Sequence, residues 1–349
     1  MELVLGTETT NEFYTFELMA AAQKLLGQIM LVKPVEEVAI TLDTAGDWRV
    51  AKAAAQAAYA LGAKPTLILY QTQPDAQMEP PAPVGLAVAG ADVWIDFAVQ
   101  YILYTDARKK ATEAGCRHAC MAGMDVETLV RTIGRVDYPR MMAVGDELAR
   151  LHNESKTIRV QCALGTDLFA KLDGNAGQSG GIATKKGALV MLGGQAGCLP
   201  KEETIEGKIV LDGMIWPPNE IGLLREGETV TLHVEKGSIV SVEGEGAAAI
   251  YRAWLESFGD ANIYRMAHYC YGFNPGVSRL TGRVVEDERL FGSITFGFGA
   301  TSTRVAPSHT DGLLRFPTIH LDDVEMERDG KYTYPTLVKL CQELQAPGY

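Results

Sequence analysis

"EEVAITLDT" (residues 36–44), "WRVAKAAAQAAYAL" (48–61) and "KPTLILYQ" (64–71) decide the fold class. The first and third are short apolar runs bounded by polar signals, as strands are, while the alanine-rich middle run repeats at helical spacing. Together they make a strand, helix, strand unit. Further on, "ADVWIDFAV" (91–99) and "CRHACMAGM" (116–124) add two more short apolar runs, after a proline-rich surface loop, "MEPPAPVG" (78–85). Upstream, Thr9 and Glu12 have capping-box spacing, and Phe13, Phe16, Leu18, Met19, Ala22, Leu25, Leu26 and Ile29 then predict an amphipathic first helix. Residues 1–135 therefore read as a Rossmann-like α/β domain, a parallel sheet flanked by helices, in which ligands sit beyond the carboxyl ends of the strands. Neither GxGxxG nor GxxxxGK(S/T) follows any of these strands, so a nucleotide has no phosphate cradle.

Past the predicted helix "PRMMAVGDELARLHNES" (139–155) the texture changes to short alternating strands with frequent glycine. "TIRVQCALGTDLFAKLDG" (157–174) reads as two strands about a turn, and "ETVTLHVEKGSIVSVEG" (228–244) as a hairpin about Lys236-Gly237. One helix, "AAAIYRAWLESFGD" (247–260), interrupts the strands. Residues 136–349 are thus expected to form an α+β domain.

The 349 residues suit two domains, and the 47% hydrophobic and 22% charged content is that of a soluble globular protein. No apolar run approaches the ~20 residues needed to cross a bilayer, and no secretory signal is recognised, so the expected location is cytoplasmic. Six cysteines without CxxC pairs are expected to be free thiols. A net charge of -12, with no concentration of Lys and Arg, excludes nucleic acid as the expected partner.

Chemistry concentrates in "APSHTDGLLRFPTIHLDD" (306–323). His309 and Asp311, two apart on a strand, project from one face, so imidazole and carboxylate converge. A hydrogen-bonded pair would have the same spacing, and a third ligand is needed to make a metal site. His268, in "YRMAHYCYGFNPG" (264–276), stands at the end of an aromatic strand beside an Asn-Pro-Gly turn and is the best candidate. Two histidines and a carboxylate are either a facial triad for non-haem Fe(II) or a catalytic zinc set, and ligand type does not separate them. His233 alternates outward on its hairpin. His118 and His152 lack partners at ligand spacing and are assigned to structure, as is His320 with Asp322 and Asp323.

With these residues identified, the chain resembles the 2,5-dihydroxypyridine 5,6-dioxygenases, which are built on the fold of the M29 (aminopeptidase T-like) metallopeptidases. "AHYCYGFNP", "LFGSITFGFGA", "SHTDGLL", "IHLDD" and "EGKIVLDG" carry the resemblance. It implies Fe(II) held by His268, His309 and Asp311, and opening of a small hydroxylated N-heteroaromatic ring with both atoms of O2 incorporated. "LGTDLFAKL" and "LPKEETIEG" look more like the peptidase branch, where a glutamate after the proline binds metal. Glu203, or its neighbour Glu202, matches it. The alternative reading is accordingly an aminopeptidase or amidase using Zn2+, Co2+ or Mn2+, with Glu203 as ligand or base.

Two departures bear on the choice. The peptidases have a further histidine in the strand matching "LFGSITFGFG" and a glutamate where His268 stands, so the resemblance favours one metal over two. The dioxygenases have an acid/base histidine where this chain has Tyr104, a phenol whose ordinary pKa near ~10 makes it a weaker base at neutral pH. Asp167 as a catalytic group and Arg304 as a substrate-binding one complete the expected site. The relatives form oligomers, so a homo-oligomer is expected.

Overall fold

The computed structural model describes residues 14–74, 78–103, 105–178, 180–301 and 303–349. The capping box at Thr9–Glu12 and Phe13 lie outside the described residues. The helix they were to open runs Thr15–Gln23 and continues, more loosely wound, through Lys24–Ile29.

Two compact units are present. The first comprises residues up to Val136 together with Gly180–Gly193, and the second Asp137–Ser179 with Gly194–Tyr349. In the first, strands Lys64–Tyr70, Glu37–Asp43, Val93–Asp96, Arg117–Cys120 and Leu189–Met191 lie in that order, every neighbouring pair parallel. Asp47 starts the connecting helix Trp48–Ala60 by accepting from the Arg49 amide at 3.0 Å. That helix buries six alanines and Val50, and such small side chains let it lie close to its neighbours. Val38, Ile40 and Leu42 are buried, as strands of a covered parallel sheet should be.

The expected second domain, 136–349, ran unbroken. Instead residues 180–193 return to the first unit, where Leu189–Met191 adds the fifth strand beside Arg117–Cys120. Three residues are too few to show a period, which is why the return is not legible locally.

The second unit holds two antiparallel sheets among the described residues, of eight and seven strands. The predicted hairpin is present as Val230–Glu235 and Ser238–Glu243. Lys236 and Gly237 turn it with φ of 46° and 74°, the paired positive values of a type I′ turn. Leu211 of the eight-stranded sheet packs against Gly312 of the seven-stranded one, where a side chain at 312 would collide with it. Asp137 caps helix Tyr138–Glu154 through the Arg140 amide at 3.2 Å. No helix among the described residues is long and apolar enough to cross a membrane, and all six cysteines are free.

Candidate metal centre

Three adjacent strands of the seven-stranded sheet build the site: Met266–Gly272, Ser293–Gly299 and His309–Leu314. Their register puts His268 opposite Gly297 and Gly297 opposite Asp311, with His309 opposite Gly299. A register shift between Met266 and His268 re-aims the histidine, a common use of a bulge beside a functional site. The residue between the two outer ligands has to be small. A Cβ on Gly297 would fall on the His268 imidazole, so glycine there lets the ring lie across the central strand and reach its partners.

The three side chains converge. His268 Nε2 is 3.2 Å from His309 Nε2, and Asp311 lies 3.4 Å from each, Oδ1 toward His268 and Oδ2 toward His309. The histidine rings are near-parallel, 5.2 Å apart at 22°. His309 donates from Nδ1 to the Ala300 carbonyl at 2.8 Å, which leaves Nε2 facing the cluster as the atom that would bind a metal once deprotonated. His268 Nδ1 lies 3.5 Å from Cys270 Sγ on the same strand face. On the opposite face, Thr310 donates to the Pro217 carbonyl at 2.6 Å and fixes the strand between the two ligands. Asp311 Oδ1 is buried without a hydrogen-bond donor.

This donor set fits a divalent metal. Two imidazole Nε2 atoms and a carboxylate oxygen, all within 4.8 Å of one another, point at one place. The side chains are 28%, 15% and 7% exposed for His268, His309 and Asp311, so one flank is open. Electrostatics describe the metal-free form. Burial opposes a charge on His309, but Asp311 outweighs it and raises that histidine to about 9. Burial takes His268 down to about 4, and Asp311 does not offset it. A proton on His309 therefore occupies the space between ligands that a cation would share.

Glu288 is the residue that sequence reasoning missed. It interacts electrostatically with Asp311, and burial, reinforced by the charge of Asp311, raises its pKa to about 7. In sequence it sits in "EDER", which resembles a solvated charged turn, yet Glu286, Asp287, Glu288 and Arg289 are all buried. Nothing local signals that.

The other expected residues are placed elsewhere or held by partners. Asp167 stands on the eight-stranded sheet, paired at 2.7 Å with Arg159, which holds its carboxyl below the usual range. Glu203 is exposed, and it is Glu202 that is engaged, at 2.5 and 2.6 Å by Arg265 and 3.6 Å by Arg304. Arg304 donates to the carbonyls of Met266 at 2.9 Å and Gly299 at 3.4 Å, tying the start of the His268 strand to the end of the central strand beside it. Neither Asp167 nor Glu203 joins the cluster of His268, His309 and Asp311. Tyr104 lies outside the described residues. Of the histidines assigned to structure, His118 is buried and stacked on Trp94, and His152 is buried against Tyr269 and Tyr271. His233 pairs with Glu243 at 3.0 Å on the surface.

Comparisons with known proteins identify the family. The 2,5-dihydroxypyridine 5,6-dioxygenase family profile matches residues 17–334. A 2,5-dihydroxypyridine 5,6-dioxygenase of Pseudomonas putida is 26% identical over 264 residues, covering 71% of this chain and 73% of that one. Among solved structures, a 2,5-dihydroxypyridine dioxygenase from P. putida KT2440 superposes with a TM-score of 0.75 at 20% identity, over 93% of this chain and 99% of the other. AmpT from Thermus thermophilus does so at 0.67 and 15% identity, over 92% and 100%. These two likenesses show the shared fold, while the match over most of the length shows the family: the chain belongs to the 2,5-dihydroxypyridine 5,6-dioxygenases.

Proposed function

We propose that the chain is a mononuclear Fe(II)-dependent dioxygenase that opens the ring of a small hydroxylated N-heteroaromatic, with 2,5-dihydroxypyridine the first compound to test. The observation that carries it is the convergence of His268, His309 and Asp311 beside an open flank, in a chain of this family. Bound there, Fe(II) would supply dioxygen chemistry and Lewis acidity toward a substrate hydroxyl. The protein's part is to orient. The Ala300 carbonyl fixes the tautomer of His309, Thr310 and Arg304 hold the strands, and Gly297 keeps the way clear for His268. Tyr104 is assigned as the acid/base from its place in sequence. A cytoplasmic homo-oligomer accompanies this reading.

The hydrolase alternative assigns Glu203 as ligand or base. Glu203 faces solvent and its neighbour Glu202 is held by two arginines, so that alternative would have to use Glu288, buried beside Asp311, instead. The test is oxygen uptake. Protein reconstituted anaerobically with Fe(II) is expected to consume O2 in equal amount to 2,5-dihydroxypyridine. No uptake with any hydroxylated pyridine, alongside amide cleavage with Zn2+ or Co2+, would replace this reading with the hydrolase.

A further inference from the structure

The first unit contains a second concentration of acidic chemistry, at the carboxyl ends of its parallel strands. Asp43, Tyr70 and Asp96 are each the last residue of a strand. Register places their side chains on one face of the sheet: Asp43 is opposite Tyr70, and Thr41, two residues before Asp43, is opposite Asp96. Covered parallel sheets are ordinarily apolar on both faces. Here Asp43 and Asp96 are 1% and 0% exposed, and Tyr70 8%.

Each carboxylate is anchored by one oxygen and presents the other. Asp43 Oδ2 accepts from the amides of Val99 at 3.0 Å and Gln100 at 3.4 Å, and Asp96 Oδ1 accepts from Thr41 Oγ1 at 2.7 Å and the Ala98 amide at 3.2 Å. Asp43 Oδ1, Asp96 Oδ2 and the Tyr70 hydroxyl are buried with no hydrogen-bond partner among the described residues. The three groups feel one another: the charges of Asp96 and Asp43, after burial itself, raise the Tyr70 hydroxyl. Among the described residues no Lys, Arg or His forms an ion pair with either aspartate. Burial raises Asp96 to about 7, so keeping both buried carboxylates ionised is costly, several kcal/mol each by order of magnitude, unless a cation joins them.

We propose that Asp43, Asp96 and Tyr70 form a second cation site, distinct from the His268, His309 and Asp311 centre, for one divalent ion of the oxygen-preferring Mg2+ or Ca2+ class. Asp43, Asp96 and Tyr70 offer hard oxygens with no imidazole among them, which suits Mg2+ or Ca2+ better than the transition metals that fit the histidine cluster; Cys120, opposite Asp96, is a soft group beside them. Two negative charges match one divalent ion. The carboxyl ends of parallel strands are also where open α/β sheets hold their ligands.

Calorimetric titration of the full-length, iron-loaded protein with CaCl2 or MgCl2 tests this. The expected result is one saturable site per chain for at least one of these ions, retained in His268→Ala and weakened at least ~10-fold by Asp43→Asn or Asp96→Asn. Absence of saturable binding by both ions overturns the proposal, as does binding that survives both Asn variants or vanishes in His268→Ala. Should the variants fail to fold, wild-type crystals soaked in CaCl2 decide. Calcium density between Asp43 and Asp96 supports the site, and density for water alone, meaning that a shared proton neutralises the pair, rejects it.

Discussion

His309-Thr310-Asp311 and His320-Leu321-Asp322 have identical spacing eleven residues apart, and the fold gives them opposite fates. In the first, both residues lie within one strand, and two strands away stands His268, reached across a glycine. In the second, the strand ends at Leu321, and Asp322 turns back with φ of 50°. Its carboxylate accepts from the Lys156 and Thr157 amides at 3.0 and 2.9 Å, and among the described residues His320 is paired only with Glu325, at 3.9 Å. Spacing offers convergence, but strand continuity and the cross-strand neighbour decide whether it happens.

The sharpest way to break this comparison is to delete one imidazole from each pair. His268→Ala or His309→Ala should leave no tightly bound iron and no oxygen uptake, whereas His320→Ala should retain both, as measured by metal analysis after gel filtration. Equal iron content in His268→Ala would remove that residue from the ligand set. Next in size is Gly297→Ala. Its added methyl competes with the His268 ring for the same space, so metal affinity should fall by ~10–100-fold with the circular dichroism spectrum unchanged. Unaltered affinity would show that the ring has another route to its partners.

Much of this was legible in sequence, and the rest was not for identifiable reasons. The strand, helix, strand unit at 37–70 and the Lys236-Gly237 hairpin are local patterns, and each formed where its period and turn chemistry required. His268, 41 positions from His309, stands near the start of the strand Met266–Gly272, at the opposite end from the Asn-Pro-Gly turn that marks it in sequence. By contrast, Gly297 matters only through what lies on the next strand, and Glu288 only through burial of a run that looks solvated. The neighbours Glu202 and Glu203 show the same limit: sequence placed a functional carboxylate there, and the two arginines that claim Glu202 come from 63 and 102 positions away. Such facts belong to tertiary contacts and have no periodic signature.

A third histidine of the same unit sharpens the contrast by pH. His152 is buried, accepts from or donates to Tyr269 at 2.7 Å and Tyr271 at 3.2 Å, and among the described residues no carboxylate pairs with it. Burial lowers its pKa from 6.5 to about 4. The unfolded chain takes up this proton first, so the contribution is fully present above pH ~6.5 and is lost as pH falls through about 4. At ~1.4 kcal/mol per unit the loss is roughly 3 kcal/mol. Urea unfolding at stepped pH should show stability declining over this window, with a shallower decline in His152→Gln. An unchanged slope would mean that another group sets the acid limit.

The smallest effect belongs to the unconverged pair. Asp322→Ala removes a carboxylate that accepts two backbone amides and the Thr157 hydroxyl at 3.1 Å, and leaves a β-carbon in the left-handed region. The site is exposed, so the cost should be about 1 kcal/mol in urea unfolding, with iron content and oxygen uptake intact. Asp322→Gly separates the two causes: it loses the same hydrogen bonds but adopts the left-handed turn freely, so it should fall between Ala and wild type. If either variant lost metal while remaining folded, the two His-x-Asp pairs would be coupled, and the distinction drawn from strand continuity would fail.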